Sequence, residues 1–290
     1  MNILVTGGNG QLGCCMQKLA SENPNHKFVF TDMPEADITD EKCIENFIVS
    51  NNTDIIVNCA AYTAVDKAET DVELCAKINA YGPKVLSLLA KKFDIPLIHV
   101  STDYVFSGIT CTPLHEYDPT GPTGIYGKTK LDGETAICES GCKAAIIRTA
   151  WLYSEYGNNF VKTMLRLGKE RDKLTVVYDQ AGTPTYAVDL ANAIIRIAES
   201  EIIGCEVYHY SNEGVLSWFD FARKIFQLKN YMTKVEAVES DRFPTPAKRP
   251  AYSVLSKDKI KAKGIEVPYW EDSLKKCLEE LTNLNTEKSN

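Results

Sequence analysis

The first half of the chain alternates short, continuous apolar runs with longer stretches of helical periodicity. Ile3–Thr6, Phe28–Thr31, Ile55–Cys59, Leu97–Ser101 and Ala145–Thr149 are each a few residues long, and most are rich in β-branched or aromatic side chains. Runs apolar at consecutive positions predict strands covered on both faces, as in a parallel sheet between two helix layers. Between them, Leu12, Met16 and Leu19 recur at helical spacing. Leu74, Ile78, Val85, Leu88 and Leu89 predict a long helix ending near Lys92, with Pro96 following closely where a strand must begin. This alternation predicts an α/β fold, a Rossmann-type doubly wound parallel sheet with right-handed crossovers.

After Trp151 the rhythm changes. Tyr153–Phe160 is polar and contains glycine. A helix is predicted from about Phe160 to Lys169, a strand at Leu174–Val177, and a break at Gly182-Thr183-Pro184-Thr185. A helix from Ala187 to Glu199 shows Leu190, Ile194 and Ile197 on one face. A strand near Val207–Ser211, a helix near Trp218–Phe226, a proline-rich loop from Phe243 to Pro250 and a final helix from Trp270 to Leu281 complete the prediction. The polar residues Asn283–Asn290 are expected to fray.

Composition narrows the options. With 44% hydrophobic and 24% charged residues, the chain is an ordinary globular one. Its net charge of −7 argues against nucleic acid or an anionic membrane surface as the main partner. The ten cysteines are scattered without a CxxC pair, and the four histidines lie far apart, so no zinc spacing exists. The cysteines are expected to act as small buried hydrophobes. No stretch approaches the ~18 apolar residues of a membrane span. The first apolar run ends at once in a polar turn, so no signal peptide is expected and the location expected is cytoplasmic.

That turn carries the first chemistry. Thr6-Gly7-Gly8-Asn9-Gly10-Gln11-Leu12-Gly13 follows a predicted strand and opens a predicted helix. Gly7 permits a tight turn, Gly10 lets a pyrophosphate approach the backbone, and Gly13 lets the helix pack close to the sheet. The helix N-terminus offers free N–H groups to phosphates. A nicotinamide dinucleotide is therefore expected at Gly7, Gly10, Gln11, Leu12 and Gly13. Asp32, 19 residues after Gly13, is placed to bond the ribose hydroxyls and leans the choice toward NADH over NADPH. Asp37 and Ile38 are candidate adenine contacts.

The second chemistry is a set of three residues. Thr102 ends the fourth predicted strand, and Tyr126 and Lys130 stand four apart, on one face of a helix. Reducing a carbonyl requires a hydride at carbon and a proton at oxygen. Tyr126 is a candidate proton donor, Lys130 a cation that would lower its pKa, and Thr102 a donor to the developing alkoxide.

With these motifs the chain resembles the extended short-chain dehydrogenases/reductases and, among them, the dTDP-4-dehydrorhamnose reductases. The resemblance runs nearly end to end. It includes Asn58-Cys59-Ala60-Ala61-Tyr62 and on to Glu69, Ser101–Phe106, Tyr126–Lys130, Arg148–Trp151, Gly157–Phe160, Asp179-Gln180, Gly182–Thr185 and Arg249-Pro250. It implies reduction of the 4-keto group of a dTDP-linked 4-keto-6-deoxysugar, dTDP-4-dehydro-L-rhamnose, by NADH or NADPH, for rhamnose-containing polysaccharide. It adds Cys59, Ala60, Ala61 and Tyr62 as cofactor contacts, with Tyr126 and Lys130. It assigns Val65, Asp103, Trp151, Asn158, Asn159 and Arg249 to the sugar nucleotide. Arg249 suits a diphosphate because its fork pairs two oxygens. Residues 1–150 are expected to form the NAD(P)-binding domain, joined by the helix near 187–199. Residues 151–290 are expected to supply mainly a smaller, discontinuous substrate domain. Some members carry a Glu linked to magnesium at a dimer interface where this chain has Val188 followed by Asp189. No metal is expected, although the resemblance still allows a homodimer. Two other readings stay open: another sugar-nucleotide reductase or epimerase of this fold, and a regulatory subunit like the methionine adenosyltransferase beta subunit.

Overall fold

In the computed structural model, which describes residues 1–287, all five apolar runs become strands of one parallel sheet. These are β1 (Asn2–Thr6), β2 (Lys27–Thr31), β3 (Ile55–Asn58), β4 (Leu97–Thr102) and β5 (Ala144–Thr149). A sixth, β6 (Cys205–His209), pairs with β5. The order is β6-β5-β4-β3-β1-β2, so the winding reverses between β1 and β3. Such a reversal opens a crevice at the carboxyl ends of those strands.

The two-sided strands are covered as their pattern demands. On one face, α1 (Gln11–Ala20) and α6 (Ala187–Ala198) bury Leu12, Met16, Leu190 and Ile194 against Ile3, Val5 and Val57. On the other, α2 (Glu41–Ser50), α3 (Gly82–Lys92) and α4 (Ile125–Ser140) bury Ile44, Leu86 and Ile137 against Leu4, Ile56 and Ile146. Ile3, Leu4 and Val5 thus alternate between faces, each in a core. The remaining helices, α5 (Phe160–Glu170), α7 (Trp218–Leu228) and α8 (Trp270–Glu287), help form a separate core around Tyr153, Met164, Phe221, Ile225 and Leu274. There, Lys173–Val177 pairs in parallel with Lys234–Val238.

Four details depart from the sequence expectations or lie outside them. The long helix to Lys92 is not uniform: Val72–Ala76 and α3 flank a π-helical turn at Lys77–Tyr81. Pro83 lies just after it, and a proline inside a helix cannot bond the carbonyl a turn earlier. The wider turn rotates the stripe, leaving Leu74 and Leu88 about half exposed. Second, α2 lacks a strong stripe, burying only Ile44 and Ile48. Asp40 starts it by accepting from the Cys43 N–H at 3.1 Å. Third, Cys15, Cys75, Cys142 and Cys277 are buried free thiols, but Cys138 and Cys205 form a disulfide between the last turn of α4 and β6. The sheet brings them together from 67 residues apart, a pairing no local spacing announces. Fourth, α8 runs to Glu287, so Asn283–Glu287 is helical rather than frayed; the rest of that expectation lies outside the described residues. Among the described residues no helix is long and apolar enough to cross a membrane.

Candidate active site

The glycine turn is built as its spacing requires. Gly7 has φ 72°, and a Cβ there would lie 2.5 Å from the Ala60 nitrogen. A Cβ at Gly13 would lie 2.2 Å from the Gly7 oxygen, so α1 could not sit this close to the sheet. No side chain caps α1 and its first turn holds no acidic residue. Its N–H groups and dipole are thus left for an anion, which fits a dinucleotide's pyrophosphate. At the end of β2, Asp32 accepts from the Asn9 and Met33 N–H groups, each at 2.8 Å. Its carboxylate is therefore held in place at the rim. Asp37 accepts from the Thr39 N–H and hydroxyl and lies 3.6 Å from Lys77, contacts that lower its pKa against the effect of burial.

One cleft of about 970 Å³ joins this turn to the other predicted residues. Gly7, Gly10, Gln11, Leu12, Asp32, Asp37, Ile38, Cys59, Ala60 and Ala61 line it. So do Thr102, Tyr126 and Lys130, and Val65, Asp103, Trp151, Asn158 and Arg249. Gly13, Tyr62 and Asn159 do not line it. Tyr62 donates its N–H to Asn79 and its hydroxyl to Asp71. Asn159 caps α5, accepting from the Lys162 N–H, and donates to Gln11 at 2.7 Å.

Tyr126 sits in the first turn of α4, half-buried, with Lys130 one turn later and fully buried. Burial pushes the Tyr126 phenol well above its ordinary value, while the Thr102 hydroxyl beside it pulls the other way. The direction is opposite to that expected from the Tyr–Lys spacing alone, because desolvation of the phenolate dominates. Burial also brings the Lys130 amine down to about 8. Lys130 Nζ donates to the Val100 carbonyl at 2.6 Å, which fixes it at the end of β4. Asp103, next to Thr102, is buried and pushed up to about 6 by that burial. It accepts from the Thr102 hydroxyl at 3.0 Å, while its Oδ2 has no hydrogen-bond partner among the described residues.

The far wall is aromatic and cationic. Trp151 has φ 49°, a left-handed conformation uncommon for a bulky residue. Its ring stacks on Trp218 at 3.6 Å between centroids, and a Cβ at Gly182 would intrude to 2.6 Å from it. Arg249 donates to Asp66 at 2.7 Å, while its Nη1 is buried with no hydrogen-bond partner among the described residues. Sequence reasoning missed Trp218, Tyr104 and Lys77, all in the lining. Tyr104 meets the Tyr126 ring edge-on at 5.5 Å. Trp218 carried only a helical signal, and nothing local shows that α7 would deliver it to a strand end. Val188 packs against the core, and Asp189 accepts from Ser273 at 2.5 Å and Asn212 at 2.7 Å, tying α6 to α8. Among the described residues no His, Cys, Asp or Glu cluster could hold a metal ion.

A dinucleotide turn opening into the same cleft as a threonine, a tyrosine and a lysine is the arrangement of the short-chain dehydrogenases/reductases, enzymes that pass hydride between a nicotinamide and a carbonyl carbon. Comparison with known proteins narrows the class. The family described as the RmlD substrate binding domain matches residues 1–283. A dTDP-4-dehydrorhamnose reductase of Aggregatibacter actinomycetemcomitans is 42% identical over 94% of this chain and 97% of its own. The crystal structure of a dTDP-4-dehydrorhamnose reductase from Clostridium acetobutylicum ATCC 824 superposes with a TM-score of 0.92 at 42% identity, covering 97% of this chain and 100% of that one. The Bacillus anthracis str. Ames enzyme of the same name, in complex with NADP, gives 0.91 at 39% identity, covering 96% and 99%. The chain belongs to the dTDP-4-dehydrorhamnose reductase family.

Proposed function

We propose that this protein reduces the 4-keto group of dTDP-4-dehydro-L-rhamnose to give dTDP-L-rhamnose. The observation that carries the reading is the convergence of the glycine turn with Thr102, Tyr126 and Lys130 in one cleft. A reduced nicotinamide, when bound, supplies the hydride. Gly7, Gly10, Gln11 and Leu12 would hold its pyrophosphate, and Asp32 its adenosine ribose. The carboxylate of Asp32 opposes a 2′-phosphate there, which favours NADH.

The chain's own residues handle the rest. Thr102 turns its one hydroxyl proton from Asp103 to the carbonyl oxygen and strengthens that bond as negative charge develops. Tyr126 gives its proton to the same oxygen. Its raised pKa keeps it protonated until that moment. Lys130 holds the nicotinamide ribose and supports the phenolate once it forms. The unpartnered Asp103 Oδ2 accepts from a sugar hydroxyl, Trp151 with Trp218 forms a flat wall for the 6-deoxy ring, and the free Nη1 of Arg249 meets the diphosphate. Asn158 and Val65 complete that side, and Asn159 steadies it through Gln11. No metal enters the scheme, and the reaction is assigned to the cytoplasm.

The test is direct. The protein, the dTDP-4-keto sugar and NADH or NADPH are mixed, reduced-cofactor absorbance is followed, and the product is identified. Oxidation to dTDP-L-rhamnose, faster with NADH, is expected. No oxidation with either cofactor would overturn the reading.

A further inference from the structure

Behind Lys130 runs a buried chain of polar groups that the scheme above leaves unused. Thr6, Asn58, His99 and Lys130 are all shielded from solvent. Asn58 Oδ1 accepts from the Thr6 hydroxyl at 2.8 Å and from the Ala60 N–H at 3.1 Å. A backbone N–H can only donate, so it fixes which end of the amide is oxygen. The amide nitrogen of Asn58 therefore faces His99 Nδ1, 2.9 Å away, and donates to it. Burial holds His99 well below the usual imidazole range, so its ring is neutral. A neutral imidazole carries one proton, and with Nδ1 accepting, that proton is on Nε2.

Nε2 lies 3.2 Å from Lys130 Nζ. An ammonium has only N–H groups and would meet this N–H donor to donor, whereas a neutral amine offers a lone pair. We propose that His99, held in its Nε2–H form by Asn58, is a positioning residue that stabilises Lys130 as a neutral amine and so sets it to release a proton near neutral pH. The inference rests on the reductase reading. When Tyr126 gives its proton to the substrate oxygen, a phenolate remains. An N–H bond of the Lys130 ammonium then breaks and the Tyr126 O–H bond re-forms. The neutral amine accepts from His99 Nε2–H until solvent reprotonates it. The other groups facing Lys130 are Glu134 on its own helix, Cys75 before the π turn and Cys59 after β3, all of which favour its charged form. Glu134 is itself occupied, by Arg148 at 2.7 Å and by the Ser101 hydroxyl at 2.5 Å. His99 is thus the neighbour that favours the neutral amine.

Nitrogen NMR of the whole protein carrying ¹⁵N-histidine reads the tautomer directly. With four histidines in the chain, His99 is assigned by its loss in His99→Gln. The expected result at neutral pH is a protonated Nε2 and a bare Nδ1; the reverse overturns the proposal. Asn58→Asp replaces the donor by an acceptor of the same shape. In that variant His99 is expected to carry its proton on Nδ1, and the alkaline limb of kcat/KM to move up by about one pH unit. A limb that stays in place while the tautomer flips also overturns it. The tautomer measurement needs no turnover. A protein that reduced no keto sugar would therefore refute the reductase reading while leaving this test intact.

Discussion

Two residues make the site's demands on single side chains measurable. Tyr126→Phe removes only an oxygen, so cofactor binding, followed by NADH fluorescence, is expected to persist while kcat falls by about 10²–10⁴. Turnover near that of the parent protein would show that the proton comes from elsewhere. Asp103 links the site to stability. Its carboxyl is raised to about 6 in the fold, so between about pH 4 and that value the folded state holds a proton that the unfolded state has released. Stability from this group is complete below the unfolded value and is lost as pH rises through the folded one. Asp103→Asn keeps the shape without the charge. It is expected to be more stable than the parent by about 1–3 kcal/mol at pH 8 and to match it near pH 4, in denaturant titrations at both pH values. Equal stability at pH 8 would mean that the buried carboxylate is not strained. The sequence named Thr102, Tyr126 and Lys130 because each stands at a strand end or on a helix face of predictable direction, and Asp103 through the family resemblance. It could not show that burial, not the neighbouring lysine, governs the Tyr126 phenol, because desolvation depends on what surrounds the side chain.

Elements were legible where the pattern was strong and local. The five apolar runs and the stripe of Leu190, Ile194 and Ile197 mark their elements to within a residue or so. What escaped depends on partners distant in sequence. Lys234–Val238 has no run of its own and is a strand because Lys173–Val177 lies beside it. The π turn at Lys77–Tyr81 answers to Pro83 and to the helix across from it. There, Gly133 of α4 faces the Asn79 carbonyl, which a Cβ would approach to 2.2 Å. Gly133 thus lets the helix bearing Tyr126 and Lys130 lie against the π turn. Gly133→Ala is expected to cost about 1–3 kcal/mol by forcing the two helices apart, although alanine ordinarily favours a helix. Thermal unfolding should show Tm lower by several degrees, about 2–4 °C per kcal/mol for a chain this long. An unchanged or higher Tm would mean that the contact relaxes freely.

For the whole molecule, the first-half sheet is not self-sufficient. α6 supplies Leu190, Ala191 and Ile194 to the core that covers β1 and β3, and β6 pairs with β5. Residues 1–150 expressed alone are therefore expected to be insoluble or to lack cooperative unfolding, judged by gel filtration and circular dichroism. A soluble, cooperatively melting fragment would show that the nucleotide-binding half stands alone. On the ribosome the same arrangement imposes an order. β5 is complete at Thr149, but its outer partner does not begin until Cys205. At usual synthesis rates the nascent chain spends on the order of several seconds with that edge bare. A bare edge strand that begins Ala144-Ala145-Ile146-Ile147 is an invitation to pair with another chain. Yield in cells should thus depend on how fast the ribosome moves from Thr149 to His209, so slow codons confined to that stretch would lower soluble protein without altering a single residue.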